Sequence, residues 1–193
     1  MSKKYLVAGA TGLMGTTLVN QIPLNEDVTV IARRKINYKR PVHFLNLDEH
    51  IKLPHADHLF ICLGYPLELR DLLLMRKSIK AKFKAVDYNL VIKVAEAAKQ
   101  SNIKSVSVIS SIEAHPKSLN YYLKVKGQME NKIKELGFES VNIFRPSHLL
   151  GEREKETTLD VKIFEFFTNI TGNFLFGWFK NCLLYTSPSP RDF

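Results

Sequence analysis

The chain has 193 residues, 45% of them hydrophobic and 24% charged, with nine glycines and eight prolines, the profile of one globular domain with enough chain to bury a core. No apolar run reaches the roughly 18 residues of a membrane-spanning helix, because Phe164–Phe179 is broken by Thr168, Asn169, Thr171, Gly172 and Asn173, and the opening MSKKYLVAGATG meets two glycines too early for a signal peptide, so a cytoplasmic protein is expected. Cys62 and Cys182 are too few for a disulfide framework, while the net charge of +9 leaves open nucleic acid, an anionic cofactor or a lysine-rich solvated surface.

Lys4–Gly9 is a short apolar run entering a glycine turn, and Leu13, Leu18, Val19 and Ile22 then follow at helical spacing before Pro23. Val28–Ala32 is a continuous apolar run, as in a parallel strand buried on both faces. Val42–Leu47 and Leu59–Leu63 are the third and fourth strands. A lysine-studded helix is predicted over Leu67–Lys84 and a second over Tyr88–Ser101. Ser105–Ile109 is a fifth strand, and Tyr122–Leu136 a helix stopped by Gly137 in the C′ position. Val141–Phe144 is a sixth strand, closed by Arg145-Pro146. Strands alternating with helices predict an α/β fold with a doubly wound parallel sheet.

The first strand–helix junction reads Gly9-Ala10-Thr11-Gly12-Leu13-Met14-Gly15. Gly9 permits the tight turn, Gly12 removes the Cβ that would keep a pyrophosphate away, and Gly15 lets the helix pack close to the strand. Thr11, Leu13 and Met14 complete the stretch expected to lie along the phosphates, where the helix N-terminus offers free N–H groups. The second strand ends in Arg33-Arg34-Lys35, with no carboxylate to accept a ribose 2′-hydroxyl. Arginines there suit the 2′-phosphate of NADP(H), which is expected in preference to NAD(H). Asp48, after the third strand, either hydrogen-bonds the adenine amine or caps the next segment.

Tyr122 and Lys126 stand four apart in a predicted helix and share one side of it. A phenol is a poor acid or base at neutral pH, and a nearby ammonium favours its phenolate. Tyr121 lacks this partner, since Val125 stands four residues on. Ser110-Ser111 closes the fifth strand at the carboxyl edge, where open α/β sheets bind ligands, and either hydroxyl could orient a substrate carbonyl. This set implies hydride transfer to or from a small carbonyl or alcohol, with Tyr122 moving the proton.

GATGLMG, VIARRK, FICLG, VDYNLVIKVAEAAKQ, SVISS, YYLKVKGQMENKI and FRPSHLLGER, spread from Lys4 to about Glu154, resemble the short-chain dehydrogenase/reductase superfamily. The similarity is to its atypical branch of NAD(P)-binding oxidoreductases related to the Tat-interacting protein. The resemblance implies a Rossmann fold and a Ser-Tyr-Lys site. Ser110 or Ser111 would be the serine, Tyr122 the acid/base, and Lys126 the residue that binds the nicotinamide ribose and tunes the tyrosine. Pro146 would line the nicotinamide pocket, and Cys62, Leu63 and Gly64 would pass beside the cofactor. Where the family usually has Arg-Pro-Gly, this chain has Arg145-Pro146-Ser147.

Cys182–Asp192, CLLYTSPSPRD, resembles a translated sequencing adapter. Residues 182–193 are therefore read as a non-native tail, and 1–181 as a dinucleotide-binding domain whose segment 151–181, with the phenylalanine-rich Ile163–Phe179, is part of a substrate pocket that continues in the natural chain.

The six histidines lack metal-ligand spacing and read as polar surface, Cys62 reads as a small buried hydrophobe, and Gln128–Lys134 reads as a solvated helix face. The leading function is an NADP(H)-dependent oxidoreductase with neither a nucleic-acid nor a membrane partner. A non-catalytic dinucleotide-binding redox sensor or regulatory module is the alternative. Nucleic-acid binding ranks last, because no helix-turn-helix, zinc or RNA-binding pattern accompanies the charge.

Overall fold

The structure is a computed structural model and describes residues 2–47, 52–67, 71 and 75–146. All of these lie in the compact unit Met1–Glu152. Asp48, the segment 151–181 and the tail 182–193 fall outside the described residues.

Six strands form one parallel sheet: β1 (Lys4–Ala8), β2 (Asp27–Ala32), β3 (His43–Asn46), β4 (His58–Ile61), β5 (Ser105–Ile109) and β6 (Ser140–Phe144), in the order β3-β2-β1-β4-β5-β6. Val7 pairs with Val30 on one side and Phe60 on the other, which places β1 at the centre. The crossover from β3 back to β4 beside β1 makes a topological switch point, and the crevice at the carboxyl ends of β1 and β4 is where such sheets take ligands.

The apolar runs become central strands because both of their faces are covered. One face of β1 and β2 (Val7, Val28, Val30) packs on Val19 and Ile22, at and just beyond the end of α1 (Leu13–Gln21). The other face, with Leu6, Ala8, Leu59, Ile61, Val106 and Val108, packs on the remaining helices.

Those helices differ from the sequence expectation. Residues 68–70 and 72–74 of the expected Leu67–Lys84 helix lie outside the described residues, and in place of a break before the expected Tyr88–Ser101 helix one helical run extends from α2 (Lys77–Lys84) through a π-helical turn (Ala85–Leu90) into α3 (Val91–Gln100). Arg76 is extended (φ −65°, ψ 153°), so α2 starts at Lys77. No proline or glycine interrupts Lys77–Gln100, so nothing stops the helix, and the register change is absorbed by the wider turn.

The helix that follows β5, α4 (Tyr121–Glu135), is set at both ends. The Asn120 side chain accepts the N–H groups of Tyr122 (2.9 Å) and Leu123 (3.3 Å), as an N-cap asparagine does. Gly137, at φ +68°, donates its N–H to the Lys134 carbonyl at 3.2 Å and ends it.

Candidate active site

The glycine turn forms as the spacing predicts. Gly9 adopts φ +79°, and a Cβ there would lie 2.6–2.7 Å from backbone atoms of Cys62 and Leu63. A Cβ on Gly15 would lie 2.7 Å from Ala10 Cα, so α1 rests directly on the turn. Gly12 is exposed, and a Cβ on it would meet only the Gly9 oxygen at 3.5 Å. It is also the N-cap of α1, where no side chain caps the helix and no acidic residue occupies the first turn. These residues fit a pyrophosphate: the first N–H groups of a helix lack intrahelical partners, and the open side of Gly12 admits an anion.

Thr11, Leu13 and Met14 are half-buried along this turn. Arg33 and Arg34 are exposed just past β2 and make no ion pair among the described residues, and Lys35 stands 5.4 Å from the centre of the Phe44 ring. The basic cluster divides at Arg40, which is 7% exposed and donates to the carbonyls of Ile22, Pro23 and Glu26, fixing the chain after α1.

On β4 the strand ends at Ile61, so Cys62 sits just beyond it against the glycine turn. Burial pushes its thiol up to about 12. At pH 8 its alkylation should therefore run about 10³-fold slower than that of a free cysteine, because only the thiolate reacts. Mass spectrometry of the Cys62 peptide during iodoacetamide treatment checks this, and alkylation at the free-cysteine rate would refute it.

Lys126 is 4% exposed and donates to the Ile109 carbonyl at 3.3 Å, at the end of β5 and next to Ser110-Ser111. Its ammonium also pairs with Asp87 of the π turn at 2.7 Å. Burial pushes the Asp87 carboxyl up, and the Lys126 charge with the Tyr65 N–H only partly offsets that. Gly64 lies next to this pair, since a Cβ there would sit 3.8 Å from an Asp87 oxygen. Tyr122 is half-buried, with its ring 5.3 Å from that of Phe83. Ser110 is 3% exposed and Ser111 8% exposed. The Ser110 hydroxyl lies near enough to Glu130 to support its charge, yet no described residue meets hydrogen-bond geometry with it. A buried hydroxyl left in this way is unusual. The Pro146 carbonyl accepts the Ile112 N–H at 3.3 Å, which ties the chain after β6 to the chain after Ser111.

Sequence reasoning missed Asp87, and it misread Glu130. Gln128–Lys134 is not uniformly a solvated face: Glu130 is 2% exposed and forms a two-pronged pair with Arg145, at 2.9 Å from the Arg145 Nε and also with its second nitrogen. Burial opposes the charge of Glu130, but the Arg145 guanidinium and the Ser110 hydroxyl hold its carboxyl below the usual range. His58 is half-buried and not simply polar surface. Its Nε2 lies 2.7 Å from Ser107 Oγ, to which Asn142 donates at 3.4 Å, and burial lowers its pKa. Among the described residues no group of three or more potential ligands could hold a metal ion, and no helix is long and apolar enough to cross a membrane.

The strand order, the glycine turn under β1 and the lysine-bearing helix behind β5 define a Rossmann-type protein of the kind built by short-chain dehydrogenases and nucleotide-sugar epimerases. Solved structures share this fold: MoeE5 in complex with UDP-glucuronic acid and NAD, at a TM-score of 0.64 and 18% identity, covering 79% of this chain and 58% of that one, and a short chain dehydrogenase family protein from Francisella tularensis, at 0.62 and 18%, covering 89% and 78%. No family model matches the chain. Protein HTATIP2 of Rattus norvegicus is 30% identical over 190 residues, covering 92% of this chain and 75% of the rat protein. The chain belongs to the HTATIP2, or Tat-interacting protein, family. Protein FMP52 of Candida albicans is 29% identical over 182 residues, covering 90% of this chain and 80% of that protein, and is named mitochondrial. That relative corrects the expectation of a cytoplasmic protein. The glycines that end the first apolar run carry no information on destination.

Proposed function

We propose that the protein is an NADP(H)-dependent oxidoreductase of the short-chain dehydrogenase/reductase type, acting on a small carbonyl or alcohol. One observation carries the reading. Lys126 is buried against the carbonyl that precedes Ser110-Ser111, so the α4 face bearing Tyr122 and Lys126 meets the carboxyl end of β5, on the sheet edge that also carries the glycine turn. The dinucleotide supplies the hydride chemistry when bound. The turn from Gly9 to Gly15 and the start of α1 hold its pyrophosphate, and Lys126 holds the nicotinamide ribose. Ser110 or Ser111 orients the substrate oxygen, and Tyr122 gives or takes its proton. Asp48, outside the described residues, retains its proposed contact with adenine.

Preference for NADP(H) rests on Arg33 and Arg34, which are exposed past β2 with no carboxylate beside them in sequence. In fluorescence titrations NADPH should bind more tightly than NADH by about 10- to 150-fold, the equivalent of about 1.5–3 kcal/mol of charge-assisted hydrogen bonding. Arg33→Ala combined with Arg34→Ala should remove the difference, and equal affinities in the parent would sink the 2′-phosphate assignment.

A further inference from the structure

The crossover from β3 to β4 is short. Parallel strands are joined by about a dozen or more residues, usually with a helix that covers the sheet. Only residues 47–57 separate Asn46 from His58, and no helix forms at 52–57. Between residues 52–55 and the amino-terminal part of β1, β2 and β3 lies a cavity of about 580 Å³, within the range of about 300–1,000 Å³ usual for small-molecule sites.

Strand register sets the floor of this cavity in rows. Leu6, Thr29 and His43 stand side by side across the three strands, with Lys4 and Asp27 in the row nearer the amino ends. Leu45, opposite Ile31, belongs to the next row toward the carboxyl ends. Leu53, 4% exposed, forms part of the facing wall with Lys52 and His55, and its carbonyl is held by the Ser101 hydroxyl at 2.9 Å. The lining is therefore apolar at Leu6, Leu45 and Leu53 and cationic at its amino end. Neither Lys4 nor Lys52 makes an ion pair among the described residues. Asp27 is the one carboxylate in the lining, set against two ammonium groups and the imidazoles of His43 and His55.

We propose that this cavity is a second binding site, for a small carboxylate with an apolar body. The apolar body lies on Leu6, Leu45 and Leu53, where its burial supplies affinity, and the carboxylate meets the ammonium groups of Lys4 and Lys52, which supply the choice of sign. Thr29 offers a hydroxyl between the two regions. The glycine turn follows Ala8 at the far end of β1, about 13 Å from Lys4 along a strand of this length. The cavity therefore stands at the opposite edge of the sheet from the dinucleotide crevice, and both can be filled at once.

The probe is 2-naphthoate, a fluorescent carboxylate on two fused rings, whose anisotropy reports binding to the full chain near neutral pH. Saturable binding with a Kd of about 1 mM or tighter is expected. The uncharged 2-naphthylmethanol should bind at least about 10-fold more weakly, because it forms no charge-assisted hydrogen bond. Lys4→Glu combined with Lys52→Glu should weaken 2-naphthoate by at least about 10-fold, since like charges then face the carboxylate. Thr29→Phe places a ring inside the cavity and should abolish binding; if it fails to fold, the lysine pair decides, because both lysines are exposed. A parent without saturable binding overturns the proposal, and so does equal affinity for the alcohol or in the lysine variant. Displacement of 2-naphthoate by NADPH would put the probe in the dinucleotide crevice and overturns it too. A parent that binds 2-naphthoate in this way but neither NADPH nor NADH keeps the second site and ends the cofactor reading.

Discussion

A Tyr122→Phe protein is expected to fold and to bind NADPH like the parent, while its turnover falls by about 10²–10⁴-fold, the range contributed by a positioned acid/base. The fold should survive because the substitution keeps what the structure uses. The ring packs on Phe83 at 5.3 Å, and the tie to Asn120 runs through the backbone N–H of Tyr122. Only the hydroxyl is lost, and it is the group assigned to the proton. Tyr121→Phe is the control. Its hydroxyl reaches the Lys80 carbonyl at 3.5 Å, and Lys80 Nζ stands 5.1 Å from the ring centre, so Tyr121 belongs to the contact between α4 and α2 and its loss should leave turnover unchanged. The assay is NADPH consumption with whichever aldehyde, ketone or quinone the parent reduces, and full turnover in Tyr122→Phe would end the acid/base assignment.

The central strands β1, β2 and β4 were legible because they are apolar on both faces, and the turns carry their own chemistry. Ala8 leads into Gly9, Asn120 caps α4 and Gly137 stops it, and each acts through a local rule of backbone geometry that a sequence displays directly. The buried polar groups were not legible, because periodicity classes a residue by its type before its position. Asp87 and Glu130 look like surface carboxylates, and their partners lie 39 and 15 residues away in the chain. The signal was present all the same. Asp87 stands in the apolar stripe between Phe83 and Val91, and Lys126 stands between Val125 and Met129, so an acid and a base each occupy a position the helix pattern reserves for the core. Two opposite charges at core positions imply one another, since neither is tolerable there alone. The break drawn between Lys84 and Tyr88 is absent because a π turn joins the two helical stretches, and a π turn has no glycine or proline to announce it.

Gly127→Ala is the substitution expected to harm the fold most, and helix propensity alone gives it the opposite sign. Alanine in place of glycine within a helix favours folding by about 0.8–1.0 kcal/mol. At Gly127, however, the new Cβ would lie 2.5 Å from Pro116 N and 2.6 Å from His115 Cα, backbone atoms that cannot rotate away. The His115 N–H also donates to the Leu123 carbonyl at 3.2 Å, so the chain from Ser111 to α4 rests directly on that helix. Overpacking costs about 1–3 kcal/mol and sometimes more, and with three backbone atoms of His115 and Pro116 inside 3.0 Å Gly127→Ala lies at or above the top of that range, so its net loss exceeds about 2 kcal/mol; relief would require lifting the His115-Pro116 stretch off α4. That stretch is braced already: Glu113 holds φ +60°, and the Ala114 N–H closes a turn onto the Ser111 carbonyl at 3.2 Å. Lifting it would move Ser111 relative to Tyr122, so turnover should fall along with stability. Gly137→Ala separates steric crowding from backbone strain, since a Cβ there meets nothing within 4 Å and only φ +68° opposes it, at about 1–2 kcal/mol. In urea titrations the midpoint should fall further for Gly127→Ala than for Gly137→Ala. A raised midpoint for Gly127→Ala would mean that α4 and the His115-Pro116 backbone are not in contact, and the seating of Tyr122 and Lys126 against β5 would have to be redrawn with them.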